Sequence, residues 1–300
     1  MKPLIITNFS DPVCIWCWGT EPIFRALETH YPNQIDIRTV MGGLVDDINT
    51  FSDPGNGIDA GPEGANAQIV SHWLEAQNRH RMPVKPDGFH LFSKAYPSTY
   101  PQNIAYKAAQ LADPDKADAF LRRIREATLT EAKVTSNPDV LLGLAKDVGL
   151  CLEAFSKALE SGEAKQRFEE DLLHTQKAGV DVFPSFLVAT AKGEQTLLRG
   201  YITYEQFQQV ITSLSNGSLV PSPTPPSLER LLALLDKHPR LAFEEVHKAF
   251  DFTSRRETEE WLKTLVMDGQ LGKEVVGSSY FIRKGYSLFL VGKTQVGIHD

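Results

Sequence analysis

The stretch Asp11-Pro12-Val13-Cys14-Ile15-Trp16-Cys17-Trp18-Gly19 sets two thiols three residues apart at the start of a helical pattern. Before it, Leu4-Ile5-Ile6-Thr7-Asn8-Phe9 is a short apolar run of the kind a buried strand gives. After it, Ile23, Phe24 and Leu27 recur at helical spacing. The thiols therefore belong to a strand, turn and helix. Residues three apart on a helix share a face, so the two sulfurs can bond to each other. A first-turn position also leaves Cys14 beside unpaired N–H groups and the positive end of the helix dipole, both of which favour thiolate. Because the thiolate is the attacking species in disulfide exchange, Cys14 reads as a nucleophile more acidic than a free thiol and Cys17 as its resolving partner.

Two plainer readings stand beside this one. A zinc knuckle needs four ligands, usually from a second matching pair, and the only other cysteine is Cys151, alone in a helical region. Two inert core cysteines would also fit. No metal and no cofactor is expected.

Three hundred residues with 42% hydrophobic content can bury a substantial core in one large or two smaller domains. A net charge of −7 argues against a general binder of nucleic acid or anionic membrane, since either wants a basic face. Protein or small-molecule partners are expected instead. Met1 to Thr7 turn polar too quickly for a signal peptide, and no run approaches a membrane span, so the expected compartment is the cytoplasm. Structural disulfides are rare there, which favours a catalytic or redox-sensing cysteine pair.

Beyond the first helix, Ile35-Asp36-Ile37-Arg38-Thr39-Val40 alternates as a second strand and ends at Gly42-Gly43, where the backbone can approach a neighbour. A right-handed crossover would make the two strands parallel and place the cysteine turn at the carboxyl edge of the first. A Gly-, Pro- and Asp-rich loop at 51–62 leads into a long helical block. Within it, Asn137-Pro138 reads as a cap and Gly149 as a stop. Strand signals return at Phe186-Leu187-Val188-Ala189-Thr190, with Thr196-Leu197-Leu198 as hairpin partner, and a helix from about Tyr204 to Leu214 closes the unit. The fold class is α/β, a small sheet with helices inserted into it.

These residues resemble a known family. Cys14-Ile15-Trp16-Cys17 after a first strand, a helical insertion, and Val182-Phe183-Pro184-Ser185 entering a hairpin are similar to the DsbA-like branch of the thioredoxin superfamily. Asp11-Pro12, Cys17-Trp18-Gly19, Met41-Gly42-Gly43-Leu44 and Ser98-Thr99-Tyr100-Pro101 further resemble bacterial protein-disulfide isomerases of that branch. The resemblance covers about residues 3–215 and implies a thioredoxin-like domain at 1–62 and 180–215 with a helical insertion at 63–179. It implies that Pro184 is a cis proline facing the cysteines, that Phe183 offers its backbone to an extended substrate, and that Cys14, Cys17 and Pro184 form the catalytic set. Substrate contacts would fall to Ile15, Trp16 and Phe183. The strongly oxidising members carry a histidine between the cysteines, whereas Ile15-Trp16 cannot acidify a thiolate, so a weaker oxidant is implied.

Other residues read more plainly. Asp11 before Pro12 is good turn chemistry and can also orient the loop. Trp18 is expected in the core and Trp16 at the surface. His72, His80, His90 and His174 are lone histidines of the helical block.

Residues 216–226, rich in Ser and Pro, read as a semi-stiff linker, and 227–300 as a second, winged-helix-like α+β domain of three helices and a hairpin. Ser254-Arg255-Arg256-Glu257 is a capping box for its third helix. The module carries 11 basic and 11 acidic residues, which favours protein contact or a homodimer over DNA.

The sequence thus predicts a cytoplasmic thiol-disulfide oxidoreductase acting on a disulfide-containing protein or small thiol such as glutathione. Two alternatives share the fold. One is a non-enzymatic adaptor that delivers a regulator to a protease, whose members also carry C-x-x-C, Trp and then Glu-Pro, here Trp18 and Glu21-Pro22. The other is a kappa-class glutathione transferase, for which Cys17 would be superfluous.

Overall fold

A computed structural model describes residues 4–59 and 61–285, the side chains of 62 and 63 excepted. Residues 1–3, 60 and the last part of the expected C-terminal module, 286–300, lie outside the described residues. The apolar run at the start forms β1 (Leu4–Ser10) and the alternating run forms β2 (Ile35–Met41), paired in parallel from Leu4 opposite Ile35 to Ser10 opposite Met41. The hairpin is β3 (Ser185–Thr190) and β4 (Gln195–Arg199), and β3 lies antiparallel to β1, giving the sheet order β2-β1-β3-β4.

One continuous helix was the natural expectation after Cys14. The chain instead forms a five-residue α1 (Ile15–Gly19) and a separate α2 (Glu21–His30). The cause is Pro22, which has no N–H to give the Trp18 carbonyl and so breaks the ladder at Thr20. Ile23, Phe24 and Leu27 of α2 pack on Leu4, Ile6, Ile35, Phe186 and Val188 of the sheet. Phe207 and Ile211 of α9 (Tyr204–Leu214) complete that layer.

The insertion comprises α3 (Gly61–His80), α4 (Tyr100–Ala112), α5 (Pro114–Glu131), α6 (Pro138–Asp147), α7 (Leu152–Glu160) and α8 (Glu163–Lys177). The last five share a core around Tyr106, Phe120, Phe155 and Phe168. By contrast α3 and the segment after it pack against α1, where Trp73, Met82 and Val84 surround the fully buried Trp18.

The C-terminal module holds α10 (Leu228–Lys237), α11 (Phe243–Ala249) and α12 (Arg255–Met267), with the hairpin β6 (Leu271–Val276) and β7 (Ser279–Lys284). A two-residue strand β5 (Leu241–Ala242), too short to leave a hydropathy pattern, adds to β7 for the order β5-β7-β6. Only half of the expected capping box forms at α12. Ser254 Oγ accepts from the Glu257 N–H at 3.2 Å, but the Glu257 carboxylate turns to Thr253.

This module does not hang from a linker. Leu219 is buried against the sheet layer, the Ser222 N–H donates to the His30 carbonyl at 2.7 Å, and Asp251 N–H donates to the Thr224 carbonyl at 3.0 Å. Residues expected as a spacer are thus strapped along the end of α2. The Thr29 hydroxyl of α2 donates to the Ala249 carbonyl of α11 at 2.8 Å, and Ala242, Val276 and Phe281 join the core around Trp18.

Charge holds the same interface from inside. The Arg122 guanidinium forks onto Glu245 with two bonds of 2.8 Å, reaches Glu21 at 3.3 Å and Glu126 at 2.8 Å, and lies 4.4 Å from the Trp18 ring centre. Glu245 is fully buried. Burial alone would raise the Glu21 carboxyl, but Arg122, Arg125 and Arg25 together hold it at about 2. Glu28, which bonds His238 and Lys237 of the module, also lies at about 2. A carboxylate whose folded value is depressed adds stability above its ordinary value and loses it as pH falls through the folded value.

Stability is therefore expected to decline from about pH 4.5 toward pH 2. Arg122→Met should cost about 3–5 kcal/mol by removing the forked partner of the buried Glu245 and one of the three guanidiniums on Glu21, and should flatten that decline. Thermal unfolding across this pH range in both proteins checks it, and an unchanged acid slope in the variant counts against the assignment.

Candidate functional site

Cys14 is the N-cap of α1, with its φ and ψ in the extended region, and Cys17 lies one turn on. The Cys17 N–H points at Cys14 Sγ at 3.3 Å, and Cys14 Sγ lies 3.7 Å from the Phe183 carbonyl, toward which its thiol can donate. The Phe183–Pro184 peptide is cis. The cysteine turn and the start of β3 therefore meet although 169 residues separate them.

The turn is held by a carboxylate behind it. Asp11 is fully buried and accepts from Val13 N–H at 2.9 Å, Leu44 N–H at 2.8 Å, Thr99 Oγ1 at 3.2 Å and Asn103 Nδ2 at 2.8 Å. Burial pushes its carboxyl up despite these donors. Asp11 is thus more than local turn chemistry, since it ties the end of β2 and the start of α4 to the cysteines. Thr99 belongs to the Ser98–Pro101 stretch, which braces Asp11 from behind.

Phe183 points the far end of its ring at the backbone of Gly42. A Cβ at Gly42 would stand 2.0 Å from Phe183 Cζ, so only glycine admits the ring there. Gly43, at φ +66, is similarly crowded by Leu172, Tyr100 and Phe168. Val182 next to this ring is 43% exposed.

The apolar contact area differs from expectation. Ile15 is buried with Val13 and Trp18 in the core beneath α1, so it is not a surface contact. Trp16 is half-exposed and ringed by His72, His80 and Tyr201, with the Arg79 guanidinium 5.9 Å from its centre. His80 is buried against Gly19, its Nδ1 accepts from Met82 N–H at 3.1 Å, and burial pulls it to about 3, so it is neutral. His174 packs edge-on to Phe9, and His90 is exposed. Among the described residues no group of His, Cys, Asp and Glu has the geometry of a metal site. No described helix is long and apolar enough to cross a membrane.

The surroundings reverse the expected order of acidity of the two sulfurs. Burial, reinforced by the neighbouring Cys17 sulfur, pushes the Cys14 thiol well up. Burial would raise Cys17 as well, but the hydrogen bond from Cys14, the Arg125 guanidinium and the Ser10 hydroxyl together bring it below the ordinary value. A five-residue helix offers too little dipole to outweigh this. The surroundings therefore favour the thiolate form at Cys17 and oppose it at Cys14. Arg125 and Ser10 could not be found from the sequence, because α5 also carries Arg122 and Arg123, nothing local marks one arginine among them, and the partners of Arg125 lie 104 and 115 residues away.

Comparison with known proteins agrees with this architecture. A thioredoxin family matches residues 8–209. A protein named ClpXP adapter protein SpxH from Shouchella clausii is 30% identical over 272 residues, which is 89% of this chain and 83% of the relative. Its namesake from Bacillus cereus is 31% identical over 261 residues, 86% of this chain and 82% of the relative. Among solved structures, a Nitrosomonas europaea protein described as a disulfide isomerase superposes with TM-score 0.60 at 24% identity, over 73% of this chain and all of its own. The cytosolic disulfide reductase DsbM of Pseudomonas aeruginosa gives TM-score 0.55 at 23% identity, over 71% of this chain and 99% of its own. These two structures share the fold.

With the exposed Cys151 replaced by serine, alkylation of Cys14 in the reduced native chain at pH 7 is expected to run at least about tenfold slower than that of a free cysteine. Its pH midpoint should lie above the ordinary thiol value, and a midpoint below it would return the charge to Cys14. Asp11→Asn, which puts an NH2 against donors, should cost about 1–3 kcal/mol in urea unfolding.

Proposed function

The chain belongs to the thioredoxin family, in the DsbA-like form with an inserted helical block, and from that premise we propose that it is an adaptor that presents a client protein to the ClpXP protease. The observation that carries this reading is the extent of the likeness to the SpxH proteins. Their 272 aligned residues exceed the whole thioredoxin unit and its insertion, so the resemblance runs into the C-terminal module. The two solved structures, by comparison, cover 73% and 71% of this chain. The module's rigid seating through Glu245 and Arg122 supports a composite surface built from both parts. The half-exposed Trp16 and the exposed Val182 beside Phe183 supply apolar contact for a client segment. A client of the transcription-regulator class fits the adaptor reading given by the sequence.

A second reading is favoured by the juxtaposition of Cys14, Cys17 and the cis Phe183–Pro184 peptide. In it, the Cys14 thiol gives its proton to water and the thiolate attacks a substrate disulfide. A mixed disulfide forms and one substrate sulfur leaves as thiolate. Cys17 then gives its own proton to that departed thiolate, attacks Cys14 and releases the second substrate sulfur as thiolate, leaving the Cys14–Cys17 disulfide.

One experiment separates the readings. In a host whose ClpP is catalytically inactive, proteins delivered to the protease accumulate in its chamber. Deletion of this chain should remove specific clients from that set, and the chain bearing Cys14→Ala and Cys17→Ala should restore them. Clients that return only with both thiols intact would favour exchange chemistry, and an unchanged set would overturn the adaptor reading.

A further inference from the structure

Among the described residues, Arg79 and Arg81 are the arginines that hold neither a hydrogen bond nor an ion pair, whereas every other described arginine is engaged by another group. Both are exposed, and they flank the buried His80 at the end of α3. Glu75 stands one turn before Arg79, at the spacing that ordinarily pairs opposite charges on a helix. The Arg79 guanidinium instead lies 5.9 Å from the centre of the Trp16 ring, and the Glu75 charge is felt at His72.

Arg81 stands just past the helix at φ +59, where its N–H donates to the Gln77 carbonyl at 2.7 Å. Glycine is favoured at this helix-ending position, because a Cβ crowds the left-handed backbone. A long cation there costs stability and closes no ion pair, so its use lies outside the chain's own packing. Its charge reaches His247 of α11, together with that of Lys248. The cationic face therefore runs from Trp16, in the cysteine turn, to the C-terminal module. Tyr201, 5.8 Å from Trp16, extends the aromatic surface toward Glu244 and Glu205. Those carboxylates are already occupied, Glu244 by Arg255 and Glu205 by its own helix terminus and Lys248.

We propose that this face docks an acidic peptide segment of the client, which sets an apolar side chain on Trp16 and carboxylates on Arg79 and Arg81. The inference rests on the adaptor reading for its client and adds the chemistry by which that client is chosen. A guanidinium matches a carboxylate with two parallel hydrogen bonds, and an aromatic ring beside it keeps water from the contact. Nucleic acid fits the face less well. On a chain of net charge −7 a phosphate backbone finds two or three cations here and repulsion around them, whereas a short acidic segment meets only the local group.

The test uses a dye-labelled peptide carrying a phenylalanine flanked by glutamates, and its twin with glutamines, bound to the full chain at low salt and followed by fluorescence anisotropy. The glutamate peptide should bind at least about fivefold more tightly than its twin, as two exposed ion pairs allow. Arg81→Gly, which suits the left-handed backbone, should weaken the glutamate peptide at least about twofold without lowering the urea midpoint. Arg79→Gln combined with Arg81→Gly should abolish the preference between the peptides, and Trp16→Ala should weaken both alike. Equal affinities in the wild type, no binding of either peptide, a preference that survives in the double variant, or indifference to Trp16→Ala would overturn the proposal. A single-stranded oligonucleotide that binds the same two arginines more tightly than the glutamate peptide would overturn it as well. Peptide binding needs no protease, so the failures are distinct. A lost preference with clients still delivered ends this inference alone, and an unchanged set of trapped proteins with the preference intact ends the adaptor reading and leaves the acidic docking face.

Discussion

Three guanidiniums converge on the buried carboxylate of Glu21, and this clustering constrains both halves of the molecule. Arg125 reaches it from beside Cys17, Arg122 from the face that receives the C-terminal module, and Arg25 from its own helix. A buried carboxylate is tolerated only where opposite charge offsets its lost hydration. Once Glu21 stands at the first turn of α2, the arginines must be held there, and α5 must lie where Arg122 and Arg125 can reach. Glu245 then balances the excess positive charge, which draws α11 onto α2.

The thiols inherit their character from this arrangement. Their helix is cut short by Pro22, its N-terminus is anchored by Asp11, and the sulfurs are buried under Phe183 and the insertion. A long exposed helix would have acidified Cys14 through its dipole. Here burial dominates at Cys14, and the nearest strong positive charge is at Cys17. The reversal is a consequence of packing rather than of the dipeptide between the cysteines.

Binding and redox chemistry need not compete on such a scaffold. Cys14 meets the carbonyl that precedes a cis proline, and Trp16 of the same turn packs against Tyr201, so a backbone edge and an aromatic contact stand near the thiols whether or not a disulfide is exchanged. The C-terminal module has its α11 face committed to α2, and its hairpin contributes Val276 and Phe281 to the core around Trp18. Its neutral charge and this intramolecular docking explain why helix order alone is a poor guide to its role.

Much was legible from local pattern. Leu4 to Phe9 and Ile35 to Val40 are strands because their apolar periodicity is local, and the C-x-x-C pair forms one turn because three residues on a helix share a face. The hairpin after Pro184 follows from the same periodicity. What sequence could not hold is whatever depends on partners far along the chain. Asp11 looks like a turn residue until Leu44, Thr99 and Asn103 close on it. Ile15 and Trp16 look alike as apolar neighbours until α1 turns one into the core and leaves the other at the surface. The stretch at 216–226 has the composition of a linker, yet α2 binds it as a strap. Amino-acid order by itself determined the strands, the cysteine turn and the family, since these rest on near-neighbour geometry. Only the tertiary structure decided what surrounds each sulfur and what the tail rests on, because buried electrostatics sum over groups that the chain brings together from more than a hundred residues apart.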